Sequence, residues 1–307
     1  VSDFKKRIKR RHLGKLKVKI TQEISPDCYL SEGATEGQPA YVDLLLSLDT
    51  KSRCGVLSLV SLSLPFLISH YMDNIIRNQL LVQDEQGNWV NFYEYIYAAF
   101  GLLKRGTPKI FTVIPQEKDC LSEQQIASLL MAETIYESGE ELGGYCDEDV
   151  LAPVRSEYGM GQYSRAFVCA NSNVLLQFGA CSRGLVTQRL EEEAITYFYI
   201  ELTLFEEAAI QIADSAIVTF LTKGRKRSMT RFLKRTYQIY EDYSDTIAFW
   251  DVQVNYPSSR KSIAMVRKAF LIEEQLGYLE RDKGQLQSMF DTKRDIMDRT
   301  EAVILNY

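Results

Sequence analysis

The stretch that decides the fold lies between Ile195 and Phe220 and reads ITYFYIELTLFEEAAIQIADSAIVTF. Its apolar residues recur at intervals of three and four, which places them along one face of an α-helix. This stripe consists of Ile195, Phe198, Leu202, Phe205, Ala209, Ile212, Ala216 and Phe220. The stretch therefore predicts a long amphipathic helix that buries one face.

Two more apolar stripes with helical spacing follow toward the C-terminus. The second contains Met229, Phe232, Ile239, Tyr243, Trp250 and Val254. The third contains Ile272, Leu276, Leu279, Leu286, Phe290, Met297 and Ile304. Its segment, residues 261–307, has no proline and as one helix would reach roughly 70 Å. Residues 188–307 therefore predict a long antiparallel helical hairpin and a very long C-terminal stalk helix, and we expect the chain to continue beyond Tyr307.

Residues 1–187 have a different pattern, in which short strands and short helices are mixed. Strands are predicted at Lys15–Ile20, Tyr41–Leu48, Val56–Leu64 and Lys109–Ile114, and a hairpin at Ser164–Ala170 and Asn173–Phe178. Helices are predicted at Asn91–Leu103 and Ser122–Ser138. The sequence thus predicts an α+β protein, with an N-terminal mixed α/β regulatory domain (residues 1–187) followed by the helical part (residues 188–307).

Composition narrows the function classes. With 46% apolar residues the chain has ample material for a packed core, so disorder is not expected. The six cysteines form no CxxC pair, which favours reduced thiols over a zinc site or a disulfide framework. The net charge of −5 argues against a dedicated nucleic-acid binder, although one end of the chain is basic. We therefore expect no nucleic-acid partner.

One segment of the regulatory domain has the composition of a ligand-binding loop, Glu157-Tyr-Gly-Met-Gly-Gln-Tyr-Ser-Arg165. Glycines let the backbone turn and approach a ligand closely, and the following side chains offer donors, an aromatic face and a fixed positive charge. The candidate ligand-binding residues are Gly159, Gly161, Gln162, Tyr163 and Arg165. The segment predicts a site for a nucleotide or another anion, and the alternative is an ordinary glycine turn.

Other candidate chemistry is sparse, and we assign no catalytic residue. Arg7 and His12 have the R-x4-H spacing of a class of metal-independent ribonucleases, but a solvated basic arm before the first strand is the favoured interpretation. His70 is interpreted as a helix-start or core histidine. An acidic cluster could hold a divalent cation such as Mg²⁺, with a solvated loop as the alternative. It consists of Glu137, Glu140, Glu141, Asp147, Glu148 and Asp149.

The helical part resembles the cytoplasmic part of CorA-type divalent cation transporters. The resemblance rests on residues 199–209, on Phe249-Trp250, on residues 299–306, and on the order of an α/β head, paired helices and a stalk. It implies a homo-oligomer, a pentamer in that family, which is held in the cell membrane by helices beyond Tyr307 while this portion is cytoplasmic. The basic segment Lys223–Arg235 departs from the family, whose magnesium transporters tend to be acidic there. That segment could meet an acidic subunit, nucleic acid or anionic lipid, or simply be solvated.

A CorA-like branch linked to type III CRISPR defence is thought to respond to a nucleotide signal. An enlarged head with a glycine-containing loop and Arg165 would suit that branch. Three functions are therefore open: the ligand-sensing portion of an oligomeric membrane channel or transporter, which we favour, a coiled-coil adaptor, and an R-x4-H ribonuclease.

Overall fold

The computed structural model describes residues 6–19, 40–52, 54–60, 80–101, 106–116, 122–130, 151–152, 154, 158–161, 164–170, 172–179, 183–223, 228–250 and 257–305. The fold is α+β, as the sequence predicts. The strands are β1 (Ile8–Lys19), β2 (Ala40–Asp49), β3 (Gly55–Val60), β4 (Leu81–Gln83), β5 (Trp89–Asn91), β6 (Ile110–Gln116), β7 (Tyr158–Gly161), β8 (Ser164–Val168) and β9 (Ser172–Phe178). The helices are α1 (Phe92–Phe100), α2 (Glu123–Leu130), α3 (Arg183–Lys223), α4 (Met229–Trp250), α5 (Pro257–Ala269) and α6 (Ile272–Leu305).

The strands form two separate sheets. The first is antiparallel with the strand order β3-β2-β1-β4-β5. The second has the order β6-β9-β8-β7, in which β6 runs parallel to β9 and the β8–β9 hairpin is antiparallel. The predicted hairpin and the strands near residues 41–48 and 109–114 are therefore confirmed, while the partners of each strand were not predictable from the sequence.

Helix α1 covers one face of the first sheet. Its cap is local, because the Asn91 side-chain oxygen accepts the backbone N–H of Tyr93 at 2.9 Å. Phe92 and Ile96 on its buried face pack against Val18 and Val42 of the sheet. The helix predicted at Asn91–Leu103 is thus confirmed within the described residues.

The helices α3, α4 and α6 pack together into one apolar core. The rings of Phe220 and Phe232 join α3 to α4 at a centroid distance of 4.8 Å. Between α4 and α6, the Tyr243 hydroxyl donates to the Glu280 carboxylate. Burial and this hydrogen bond raise the pKa of Tyr243 to about 12. The long helices predicted from the second and third stripes are therefore present and face one another.

The seam of the third stripe is buried inside the chain itself. Leu279 and Leu286 have 0% and 1% of their surface exposed and belong to the core that also contains Phe232 and Ile239. Residues of the same chain therefore cover this seam. In the first stripe, by contrast, Ile195 and Ile212 are exposed, although Leu202, Phe205 and Ala209 of the same stripe are buried.

The predicted stalk is not one continuous helix. It is broken between Ala269 and Ile272, where α5 ends and α6 begins. The prediction of a single helix over residues 261–307 is therefore wrong, although α6 alone is 34 residues long. At about 1.5 Å per residue, α6 still spans roughly 50 Å.

The C-terminal end of α6 projects beyond the helices that pack against it. Near the start of α4, the ring centroid of Phe232 lies 4.0 Å from the ammonium nitrogen of Lys293 in α6. Ile296 and Val303 beyond it are each 57% exposed. The projecting segment, residues 294–305, is roughly 18 Å long.

The basic N-terminal segment is part of the first sheet rather than a solvated arm. It forms β1, and two of its arginines are paired across long distances in the sequence. Arg7 binds Asp49 of β2 through two hydrogen bonds of 2.7 Å, and Arg10 binds the buried carboxylate of Glu201 in α3. The interpretation of this segment as a solvated basic arm is therefore wrong. The carboxylates of Asp49 and Glu201 pair with Arg7 and Arg10, and residues so distant in the sequence cannot be recognised as partners from a local pattern.

Candidate functional site

The predicted ligand segment forms the end of the β7–β8 hairpin. Gly159 lies opposite Arg165 and Gly161 opposite Ser164, with an irregular register between the two glycines. Gln162 and Tyr163 lie outside the described residues. Both glycines are therefore strand residues rather than loop residues, and irregularities of this kind increase the local twist of a hairpin.

Successive side chains of β8 point to opposite sides of the sheet. The charged Arg165 side chain therefore faces outward, and the polar Ser164 side chain faces inward. The Arg165 side chain is exposed, and its guanidinium carbon lies 5.9 Å from the ring centroid of Phe178. Ser164 is buried, and its hydroxyl oxygen finds no hydrogen-bond partner among the residues that the structure describes. Opposite Ser164, the Gln177 amide donates to the backbone oxygen of Arg189 in α3 at 2.9 Å. The hairpin thus places a charge outside and polar groups against α3.

Helix α5 lies against this hairpin and leads directly to the break before α6. At the break, Leu271 has a φ of 56°, the one positive φ among the described residues other than glycine. Leucine adopts this left-handed conformation at a cost of roughly 1–2 kcal/mol. Strain of this kind persists only where surrounding contacts impose it, and it concentrates at sites that switch or bind.

The contacts that impose the break are the buried side chains on either side of Leu271. Phe270 is 2% exposed and Ile272 is 0% exposed. Residues two apart lie on nearly opposite faces of a continuous helix, so both could not face the same core. No glycine or proline marks the break in the sequence, so helical periodicity did not reveal it.

A cluster of polar side chains joins the break between α5 and α6 to helix α3. The Arg267 guanidinium lies 2.9 Å from the Glu206 carboxylate of α3 and 3.1 Å from the Glu273 carboxylate of α6. The Gln275 amide donates to the backbone oxygen of Phe270 at 3.0 Å and to the Glu207 carboxylate at 3.4 Å. These bonds tie both sides of the break to α3.

Lys109 connects the junction to the second sheet. Its ammonium group donates to the backbone oxygen of Ala170 at 2.6 Å and lies 4.5 Å from the ring centroid of Phe270. Burial lowers the pKa of Lys109, and the negative charge of Glu207 partly opposes that shift. An open cleft of about 340 Å³ lies beside the junction and is lined by residues of α5, of the break itself and of α6. They are Ala264, Arg267, Lys268, Leu271, Glu273 and Glu274.

The strain at Leu271 gives a first testable expectation. Replacing Leu271 by glycine should raise the free energy of unfolding by roughly 0.5–1 kcal/mol, because glycine adopts a positive φ without steric cost. Leu271 is 48% exposed, so the loss of its half-buried side chain offsets part of the roughly 1–2 kcal/mol of relieved strain. Urea denaturation followed by circular dichroism measures the change. The exposed Tyr278→Gly substitution, in the second turn of α6, is the matched control, and it should destabilise by about 1 kcal/mol. Equal losses in the two variants would contradict strain at the junction.

The structure does not bring Arg7 and His12 together. Arg7 binds Asp49, whereas the His12 Nε2 atom lies 2.8 Å from the Asp43 carboxylate. Those two aspartates are six residues apart along β2, which corresponds to about 20 Å. The R-x4-H pattern therefore does not form a single cluster in this fold.

Several predicted features fall on residues that the structure leaves undescribed or describes in part. His70 and the acidic cluster, residues 137–149, lie outside the described residues. Of the basic segment Lys223–Arg235, residues 224–227 lie outside, while Arg231, Lys234 and Arg235 are exposed on α4. Among the described residues, no group of three His, Cys, Asp or Glu side chains is arranged to hold a metal.

Two observations bear on the resemblance to CorA-type transporters. None of the helices within the described ranges combines the length and apolar character that crossing a membrane requires. The chain matches no protein-family model, no curated protein and no solved structure.

Proposed function

We propose that this chain is the cytoplasmic ligand-sensing portion of a CorA-like, oligomeric ion channel or transporter of the cell membrane. In this proposal a nucleotide signal, as in antiviral defence, binds at the β7–β8 hairpin, and the response reaches the ion path through α6. The resemblance supplies the class of protein, Mg²⁺ as the implied cation and a pentamer as the implied assembly. The CorA-type division into residues 1–187 and 188–307 belongs to the same proposal.

The observation that carries the proposal is the continuous path from the hairpin to the projecting end of α6. Helix α5 packs on β7 and β8, Leu271 joins α5 to α6, and Ile296 and Val303 extend beyond the packed core. A displacement of the hairpin would therefore act on a strained junction that lies at the base of a long, stiff element. In this proposal the antiparallel helical hairpin corresponds to α3 and α4. Its support is that the ring of Phe220 contacts the ring of Phe232, and that Phe249 packs against the cluster that contains Leu202.

A second function is favoured by the apolar residues of the projecting segment. Ile296 and Val303 are one heptad apart and exposed, a spacing that is typical of a coiled-coil seam. A coiled-coil adaptor would use this seam to bind a partner helix, with no ion path.

The complete gene product separates these two functions. Reconstituted into liposomes, it should mediate Mg²⁺ flux that changes when nucleotides are added. An adaptor would remain in the soluble fraction and would produce no flux. That result would overturn the proposed function.

The ligand site is tested on the chain itself. Calorimetric titration of mononucleotides should detect binding that the Arg165→Ala substitution weakens roughly ten- to hundredfold, since a lost charge-assisted hydrogen bond costs about 1.5–3 kcal/mol. Arg231→Ala, an exposed arginine of α4, is the matched control and should bind like the parent. Equal nucleotide affinity of the parent, Arg165→Ala and Arg231→Ala would show that the nucleotide does not bind at the β7–β8 hairpin.

A further inference from the structure

The open half of the first sheet carries a row of lysines beside two aromatic rings. Lys15, Lys17 and Lys19 alternate along β1 with Leu16 and Val18, which pack toward α1. The three lysines therefore share the opposite face of the sheet. Successive lysines lie about 6.6 Å apart along the strand.

The aromatic rings belong to neighbouring strands on that same face. Tyr41 of β2 lies directly opposite Lys17 in the β1–β2 register and is 64% exposed. On the other side of β1, the ammonium nitrogens of Lys17 and Lys19 lie 5.7 Å and 4.5 Å from the ring centroid of Trp89. We call this surface, formed by Lys15, Lys17, Lys19, Tyr41 and Trp89, the basic sheet face.

Helix α3 covers only the other half of this side of the sheet. There, the Ser58 hydroxyl lies 2.7 Å from the Tyr197 hydroxyl, and Ser47 donates to the buried Glu201 carboxylate. At the lysine end, Val60 of β3 is also exposed. The basic sheet face thus continues the sheet beyond the edge of α3.

Lysines outnumber carboxylates on this face, although the whole chain is acidic. The β1 segment from Lys6 to Lys19 contains no aspartate or glutamate. The nearest paired carboxylate, Asp43 opposite Lys15, interacts with His12 at 2.8 Å. Because screening confines such interactions to about 8–10 Å, a partner responds to the local charge rather than to the net charge of −5.

We propose that the basic sheet face binds single-stranded nucleic acid. Phosphates lie along Lys15, Lys17 and Lys19, and a base stacks on the exposed ring of Tyr41. Single strands expose both their phosphates and their base faces, and sheets that combine lysines with aromatic rings recognise them in this way. An anionic membrane would use the lysines but has no planar group to stack on Tyr41, so the exposed ring favours the nucleic acid.

Fluorescence anisotropy with labelled 12-nucleotide single strands of RNA and DNA tests this proposal. The parent should bind, and the affinity should fall as salt increases with a log–log slope of about −2, since each of three phosphate contacts contributes about −0.7. Tyr41→Ala should weaken binding roughly 5- to 100-fold without changing that slope. The triple variant Lys15→Gln, Lys17→Gln, Lys19→Gln should abolish most of the salt dependence.

A matched triple variant controls for total charge. Lys234→Gln, Lys261→Gln, Lys268→Gln changes the net charge equally at exposed lysines elsewhere and should bind like the parent. Equal weakening by both triple variants would overturn the proposal, as would no binding by the folded parent. Binding to vesicles that contain 30% phosphatidylserine, unaffected by Tyr41→Ala and stronger than binding to either strand, would reassign the face to lipid and also overturn it.

Discussion

Replacing Leu279 and Leu286 together by aspartate should prevent the helical part from folding. Both side chains are fully buried between α6 and the chain's own α3 and α4. Losing each leucine costs about 2–5 kcal/mol before the added charge is considered, and an unpaired buried charge costs more. Domains are stable by only about 5–15 kcal/mol, so the pair should exceed or nearly exhaust that margin. Circular dichroism should show no cooperative thermal transition.

The projecting end of the same helix provides the control. Ile296→Asp with Val303→Asp introduces the same two charges at exposed positions, where each change should alter the free energy of unfolding by no more than about 0.5 kcal/mol. If the chain self-associates through this segment, light scattering should show a smaller particle for the control variant at unchanged melting temperature. A folded but dissociated Leu279/Leu286 variant would contradict the burial of the seam within one chain.

This contrast also defines what periodicity can predict. The three-and-four spacing identified α3, α4 and the buried face of α6, because spacing determines which side of a helix is apolar. It does not determine what covers that side. Leu279 and Leu286 would have the same spacing whether they faced Phe232 and Ile239 or another copy of the chain. The partner of the stripe therefore required the tertiary structure.

The sequence predicted a helix or strand best where neighbouring residues determine where that helix or strand begins. Asn91 caps α1 through hydrogen bonds within three residues, and the N-terminal boundary agrees with the sequence, whereas the helix ends at Phe100, earlier than predicted. The break at Leu271 has no local marker, because it results from the burial of Phe270 and Ile272 against α3 and α6. Of the candidate site, the sequence singled out the segment around Gly159 and Arg165 but predicted it as a loop rather than a hairpin, and it did not reveal the junction behind it.

The pairing of Arg7 with Asp49 across 42 residues leads to the second large effect. Two hydrogen bonds of 2.7 Å join them, and the Arg7 guanidinium lies 3.7 Å from the ring centroid of Phe249. Burial alone would raise the pKa of Asp49, but hydrogen bonds from Arg7, Ser52 and the Lys51 amide, together with the charge of Arg7, lower it below its usual value. Removing the guanidinium therefore leaves a buried carboxylate with fewer groups to stabilise its charge.

Replacing Arg7 by methionine should lower the free energy of unfolding at pH 7 by about 3–5 kcal/mol, the usual cost of breaking a buried ion pair by removing one partner. The loss should depend on pH. In the parent, the lowered pKa of Asp49 contributes stability that is present above about pH 4 and is lost as the pH falls through the folded-state value. In the variant the pKa of Asp49 is higher, so the carboxyl group is protonated at a higher pH and the penalty for its buried charge disappears earlier on acidification.

The difference in free energy of unfolding between parent and Arg7→Met should therefore be smaller at pH 4.5 than at pH 7, as measured by urea denaturation. The double variant Arg7→Met with Asp49→Asn lacks the titrating carboxyl group. Its free energy of unfolding should therefore not show the extra loss that Arg7→Met alone suffers between pH 4.5 and pH 7. A parent–variant difference that stays constant from pH 4.5 to pH 7 would mean that Asp49 does not depend on Arg7 for its charge. Arg7 would then stabilise the fold mainly through its packing on Phe249, which methionine reproduces in part.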